Sequence, residues 1–207
     1  MPKAFSEEEK EQIKNQILET AVELFHDKGT KSINIQELTR RAGIAQGSFY
    51  SFWKDKDALV MDVMLYRSRQ KLDIAEKEFE ASLHDPAGFL SESIYRYSMD
   101  LLNKCREQPV YSQSFAILSR SNSLSENRVG AIYKEFLSKL AAYWVEHNAV
   151  QSVDVQGLIN VITACPVLLS NAGQFDPEYF DEIFKSFLQS TIGNYITPVS
   201  YTHLTLP

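Results

Sequence analysis

Apolar residues recur with a helical period along most of the chain, and that period predicts helices and no strand-turn-strand pattern. Ser6 and Glu9 stand at capping-box spacing, and Ile13, Ile17, Ala21 and Leu24, with Leu18 and Phe25 alongside, continue as one helix face towards Gly29. Asn34 and Glu37 repeat the start signal, and Ile35, Leu38 and Ala42 form the buried side of a helix of barely two turns that stops at Gly43. Residues 46–53 are too short for an independent helix and carry aromatic rings at Phe49 and Trp53, one helical turn apart. Asp55 opens a longer helix from Lys56, whose stripe of Leu59, Val63, Tyr66, Ile74 and Phe79 is expected to run to the break at His84-Asp85-Pro86.

Further helices are predicted over 86–105, 110–119, 125–147, 154–171 and 177–195. The last has the clearest pattern, with Phe180, Ile183, Phe184, Phe187, Leu188, Thr191, Ile192 and Tyr195 on one face. Pro166 is expected to break or kink its helix, because it lacks a backbone donor. Residues 197–207 have no period and are set outside the fold.

At 207 residues, 44% of them hydrophobic, the chain can bury a sizeable core without cross-links, which excludes a disordered reading. Cys105 and Cys165 have no metal-ligand spacing, and the pattern fits a reducing cytoplasm. The N-terminus is acidic and no apolar run approaches 18 residues, so neither a signal peptide nor a membrane span is expected. The four histidines are scattered without acidic partners. No catalytic residue, metal site or cofactor is expected, and the chain does not read as an enzyme.

The net charge of −6 hides an uneven distribution. Residues 28–71 hold nine Lys or Arg against four acids, or +5, whereas 1–27 carry −4 and 72–207 carry −7. A basic island in an acidic chain is a candidate phosphate-facing surface. Within it, QELTRRAGIAQGSFYSF reads as two short helices joined by a tight turn containing glycine, the pattern of a helix-turn-helix. Leu38, Ala42, Ile44 and Phe49 are placed to bury against the first helix, leaving Gln46, Ser48 and Tyr50 as polar tips for a major groove. Gly47 leaves room for close approach, and Lys56 adds a cation beside freed backbone N–H groups, both suited to phosphate.

The stretches ILETAVELFHDKG, NIQELTRRAGI, QGSFYSFW and KDKDAL together resemble the DNA-binding domain of the TetR family of bacterial transcriptional regulators. The resemblance implies Gln46, Gly47, Ser48, Tyr50 and Ser51 at DNA, with Asn34 and Gln36 on the preceding helix, Lys56 on a phosphate and Phe49 buried. Trp53 stands where Phe is commoner in the family. An all-α chain follows, with a three-helix DNA-binding domain over 6–54, a connecting helix over 55–84 and an effector-binding and dimerisation domain over 85–196.

The C-terminal part is rich in rings with polar tips, compatible with a pocket for an apolar or aromatic effector, and the resemblance implies such a domain. Candidate lining residues are Tyr95, Tyr111, Phe115, Tyr133, Phe136 and Trp144. The broad apolar face of the last two helices predicts a homodimer interface through Leu158, Ile162, Leu169, Phe180, Phe184 and Phe187. The expected function is a repressor that binds a palindromic double-stranded operator as a dimer and is released by a small molecule. Two alternatives stand beside it: a DNA-binding protein with no effector, and a redox sensor using Cys105 and Cys165.

Overall fold

The computed structural model describes residues 6–28, 34–107 and 128–199. They form α1 (Glu7–Lys28), α2 (Ile35–Arg41), α3 (Gln46–Phe49), α4 (Lys56–Glu76), a 3-10 turn (Glu80–Leu83), α5 (Pro86–Glu107), α6 (Arg128–Glu146), β1 (Val150–Val153), α7 (Val155–Ser170), a 3-10 turn (Ala172–Gln174), α8 (Pro177–Gly193) and β2 (Ile196–Pro198). The helix expected over 110–119 lies outside the described residues. The architecture is all-α apart from one small strand pair, and the described residues divide into two compact units, 6–69 with 103–107 and 70–102 with 128–199.

Helix ends follow from side chains that satisfy orphan backbone groups. Ser6 and Glu9 form the reciprocal capping box, with Glu9 N donating to Ser6 Oγ at 3.1 Å and Ser6 N to Glu9 Oε2 at 2.7 Å. Asn34, Asp55, Asp154 and Asp176 cap α2, α4, α7 and α8 by accepting from Gln36 N, Ala58 N, Gly157 N and Glu178 N at 2.8–3.0 Å. Two helices end in Schellman turns. Gly43, at φ 68°, closes α2 through Gly43 N to Arg40 O and Ile44 N to Thr39 O, and Asn148, at φ 55°, closes α6 in the same manner.

In the first unit, Ile17, Leu18, Ala21 and Leu24 of α1 meet Leu38 and Ala42, Phe49, Trp53, and Leu59, Val60 and Val63 of α4. In the second, a larger core gathers Leu90 and Leu102 of α5, Phe136, Leu137, Leu140 and Trp144 of α6, Leu158 to Leu169 on α7, and Phe180, Phe184, Leu188 and Ile192 of α8.

Three expectations are corrected. The connecting helix ends at Glu76, where bonds from Lys77 N to Ile74 O and Glu78 N to Ala75 O tighten the backbone into three-residue turns. Ile74 is exposed, and Phe79, beyond the helix, packs on Phe136 and Tyr143 with ring centres 5.6 Å apart in each case. Next, α7 runs through Pro166 without a break. On the adjoining turns Thr163 Oγ1 and Cys165 Sγ donate to the carbonyls of Ile159 and Val161. Finally, β1 and β2 pair antiparallel, Val153 opposite Ile196 and Ser152 opposite Thr197, so the start of the tail is part of the fold.

Candidate nucleic-acid interface

The four residues of α3 have too little length to be stable alone, and Ala45 gives them no side-chain cap. What holds α3 is the contact beneath it. Phe49 is 0% exposed, and Trp53, 3% exposed, lies against it with ring centres 5.5 Å apart. The backbone continues the turn, Phe52 N and Trp53 N both donating to Phe49 O.

Anchoring that side turns the other outward. Gln46, Gly47 and Ser51 are exposed, Ser48 is half-buried, and Tyr50 is 57% exposed while its ring stands edge-on to Phe49 at 5.2 Å. Asn34 and Gln36 are exposed at the start of α2, though the Asn34 carboxamide oxygen is engaged as its cap. Lys56, half-buried at the start of α4, has its ammonium pKa lowered by burial, with the Asp57 carboxylate opposing the shift. A side chain at position 47 would meet nothing within 4 Å, and its backbone is outside the left-handed region, so the chain itself imposes no need for glycine there.

Sequence reasoning missed the support under this face. Trp53 Nε1 donates to Asp62 Oδ2 at 3.1 Å, and Lys14 Nζ of α1 lies 3.4 Å from the same oxygen. The available signal was a single carboxylate inside the run LVMDVML of α4. An acid at such a position is buried only with partners.

Residues 17–63 match the bacterial regulatory proteins of the tetR family. This part of the chain is similar to the DNA-binding region of the TetR family. The family that this region matches is one of bacterial regulatory proteins. Two HTH-type transcriptional regulators of Bacillus subtilis strain 168 resemble the same region. YuxN is 38% identical over 50 residues, 24% of this chain and 17% of that protein, and YerO is 38% identical over 53 residues, 26% and 18% respectively. The match thus spans under a fifth of each relative's length. The fold likeness extends further. A TetR regulator from Rhodococcus sp. RHA1 superposes with TM-score 0.61 at 18% identity, covering 88% of this chain and 98% of the other. RolR in complex with resorcinol gives 0.58 at 16%, covering 94% and 92%.

In the second unit the expected effector and dimer residues have varied surroundings. Trp144 is fully buried and donates Nε1 to Ser82 Oγ at 2.6 Å, Phe136 is buried on Phe79, and Tyr133 is half-buried. Tyr95 is half-buried, donates its hydroxyl to Asp181 and lies under Lys185 Nζ, 5.4 Å from the ring centre. Tyr111 and Phe115 lie outside the described residues. Leu158, Leu169, Phe180 and Phe184 are buried within the chain's own core, where α7, α8 and the 3-10 turn that joins them pack together. Ile162 and Phe187 are half-buried, and the exposed apolar side chains nearby are Val167, Tyr179 and Ile183. Ile183 and Phe187, with Glu182, Ser186 and Ser190, line a wide-open hollow of about 460 Å³ along α8.

Proposed function

We propose that the chain is a transcriptional regulator that reads double-stranded DNA with the outward face of α3 and acts as a homodimer, repressing its target until a small molecule releases it. One observation carries the reading: a four-residue helix and the turn after it, anchored by Phe49 and Trp53, leave Gln46, Gly47, Tyr50 and Ser51 exposed and Ser48 half-buried, within the basic part of an acidic chain. Gln46 is suited to an adenine edge, Ser48 and Ser51 to bases or phosphates, and Tyr50 to a phosphate. Asn34 and Gln36 flank them on α2. Lys56, partly desolvated, would be stabilised in its charged form by an anion beside it. Two such units in a dimer would occupy successive major grooves, about 34–36 Å apart, which calls for a palindromic site. The compartment that holds such DNA is the bacterial cytoplasm.

Release requires a ligand that prefers the non-binding conformation. A preference of about 1–3 kcal/mol would weaken DNA binding some 5- to 150-fold. The same fold is solved with resorcinol in RolR, and at 16% identity that likeness extends to the fold alone. The rings of Tyr95, Tyr133, Phe136 and Trp144 support an apolar or aromatic effector. A second reading, DNA binding with no small-molecule effector, is favoured by the closure of Phe136 and Trp144 into the core. A redox role is not favoured. Burial pushes the Cys165 thiol up to about 12 and also raises that of Cys105, which disfavours the reactive thiolate in both.

Enrichment of duplexes from a random pool by the purified chain tests the proposal. A palindromic sequence bound more weakly by Gln46→Ala and Lys56→Ala is expected. A parent that enriches no sequence would overturn it.

A further inference from the structure

We infer that Asp62 and Trp53 are positioning residues for the DNA-reading face, acting through a buried hydrogen bond beneath α3; the inference rests on the DNA-binding reading above. Neither residue belongs to the outward face. Trp53 is buried in the turn after α3, and Asp62 is buried on α4, nearly two turns into that helix. The indole N–H to carboxylate bond at 3.1 Å ties the end of the α3 turn to α4, and Lys14 at 3.4 Å ties the same oxygen to α1. From Trp53 the contact passes to Phe49, and from Phe49 to the edge-on ring of Tyr50. One carboxylate therefore joins three elements directly under the shortest helix of the unit.

The physical need is specific. Rings alone fill the space beneath α3 but slide and tilt, because dispersion contacts are not directional. A hydrogen bond to a charged acceptor is directional and strong when shielded from water. It also makes the two residues interdependent. Phenylalanine at 53 would retain the ring and remove the donor, leaving a buried carboxylate short of one partner. An apolar residue at 62 would leave the buried indole N–H without its acceptor. The bond fixes the rotation of α3 about its own axis, which decides where Gln46, Ser48 and Tyr50 point.

The test compares Trp53→Phe, Asp62→Leu and Asp62→Asn with the parent in the full chain, after thermal melting has established that each folds. Hydrogen exchange at the amides of Ser51, Phe52 and Trp53 reads the turn without DNA. Affinity for the duplex enriched by the parent, relative to its scrambled counterpart, reads the face. Trp53→Phe and Asp62→Leu should speed exchange at those amides about tenfold and weaken binding to the selected duplex about tenfold, with scrambled binding unchanged, the scale of one hydrogen bond to a charged group. Asp62→Asn, which keeps an acceptor oxygen for the indole, should restore most of both. Parent-like exchange in Trp53→Phe and Asp62→Leu overturns the inference, as does an Asp62→Asn chain as impaired as Asp62→Leu. A parent that selects no duplex sinks the DNA-binding reading instead, and the exchange comparison still decides the positioning.

Discussion

Tyr195 lies across Gly157 so closely that a Cβ on the glycine would stand 2.1 Å from Tyr195 Cδ1 and 2.4 Å from Cε1. Gly157 is in the first turn of α7, its N–H held by Asp154, and Tyr195 O accepts from Asp154 N, so the ring and the cap lock each other. Gly157→Ala forces the ring or the helix to move. A loss of about 1–3 kcal/mol in urea unfolding is expected, as for overpacked cores. Gly193→Ala, where a Cβ meets nothing within 4 Å, is the control and should be neutral to stabilising by up to about 1 kcal/mol. Equal midpoints for the two variants would show that the ring yields freely.

The helices were legible because their signals are local. Ser6, Asn34, Asp55, Asp154 and Asp176 each lie within three residues of the amide they cap. The strand pair was not. Val153 and Ile196 are far apart in sequence, and neither VQSV nor ITP is long enough to show a period of two. Periodicity also identified the stripe through Phe180 and Phe184 without revealing what covers it. A stripe that faces α7 of the same chain and one that faces a second chain have the same spacing. The outward residues of α3 were readable from the polar tips between Phe49 and its neighbours, whereas the bond from Trp53 to Asp62 depends on how α4 lies beside the turn.

Ser82 accepts from the Trp144 indole and donates to the carbonyl of Phe79, both at 2.6 Å, in a fully buried position. Ser82→Ala strands the indole N–H, and a loss of about 1–3 kcal/mol is expected. Trp144→Phe in that background removes the stranded donor. The double variant should be less destabilised than the sum of the singles when all four chains are unfolded in urea, and strict additivity would show that the bond contributes nothing.

Gly47 separates stability from function. With no contact within 4 Å and no left-handed backbone, alanine there should raise stability by up to about 1 kcal/mol, since glycine is the poorer helix former. The added methyl projects on the face proposed to approach DNA. Weaker binding to the selected duplex, together with a higher unfolding midpoint, is the expected pair of results. Undiminished affinity would remove position 47 from the interface.

Tyr95 gives stability a pH dependence. Its hydroxyl donates to Asp181, and that bond first, then burial and the charges of Asp181 and Glu92, push its pKa up to about 12. A raised pKa means that the neutral phenol is favoured by folding, so its contribution is complete below the ordinary value near 10 and is lost as pH rises towards 12. Urea midpoints of the parent and Tyr95→Phe should therefore differ at pH 8 and draw together as pH rises from about 10 towards about 12. A constant difference across that range would mean that the hydrogen bond does not set the pKa.

Adjacent residues on α8 separate the core from the exposed side of the helix. Phe184 is 1% exposed and packed among Phe180, Phe187 and Tyr95, whereas Ile183 is 48% exposed and lines the open hollow along the helix. Glutamate at 184 buries a charge with no partner, so Phe184→Glu should fail to fold. Glutamate at 183 stays in water in a single chain and changes its intrinsic stability by no more than about 0.5 kcal/mol. In a dimer that closes over this hollow, two such charges would face each other across a twofold axis, where like charges and lost apolar contact both oppose association. Sedimentation of Ile183→Glu should thus give a folded monomer where the parent gives a dimer. A folded Ile183→Glu chain that sediments as the parent dimer would place the interface elsewhere.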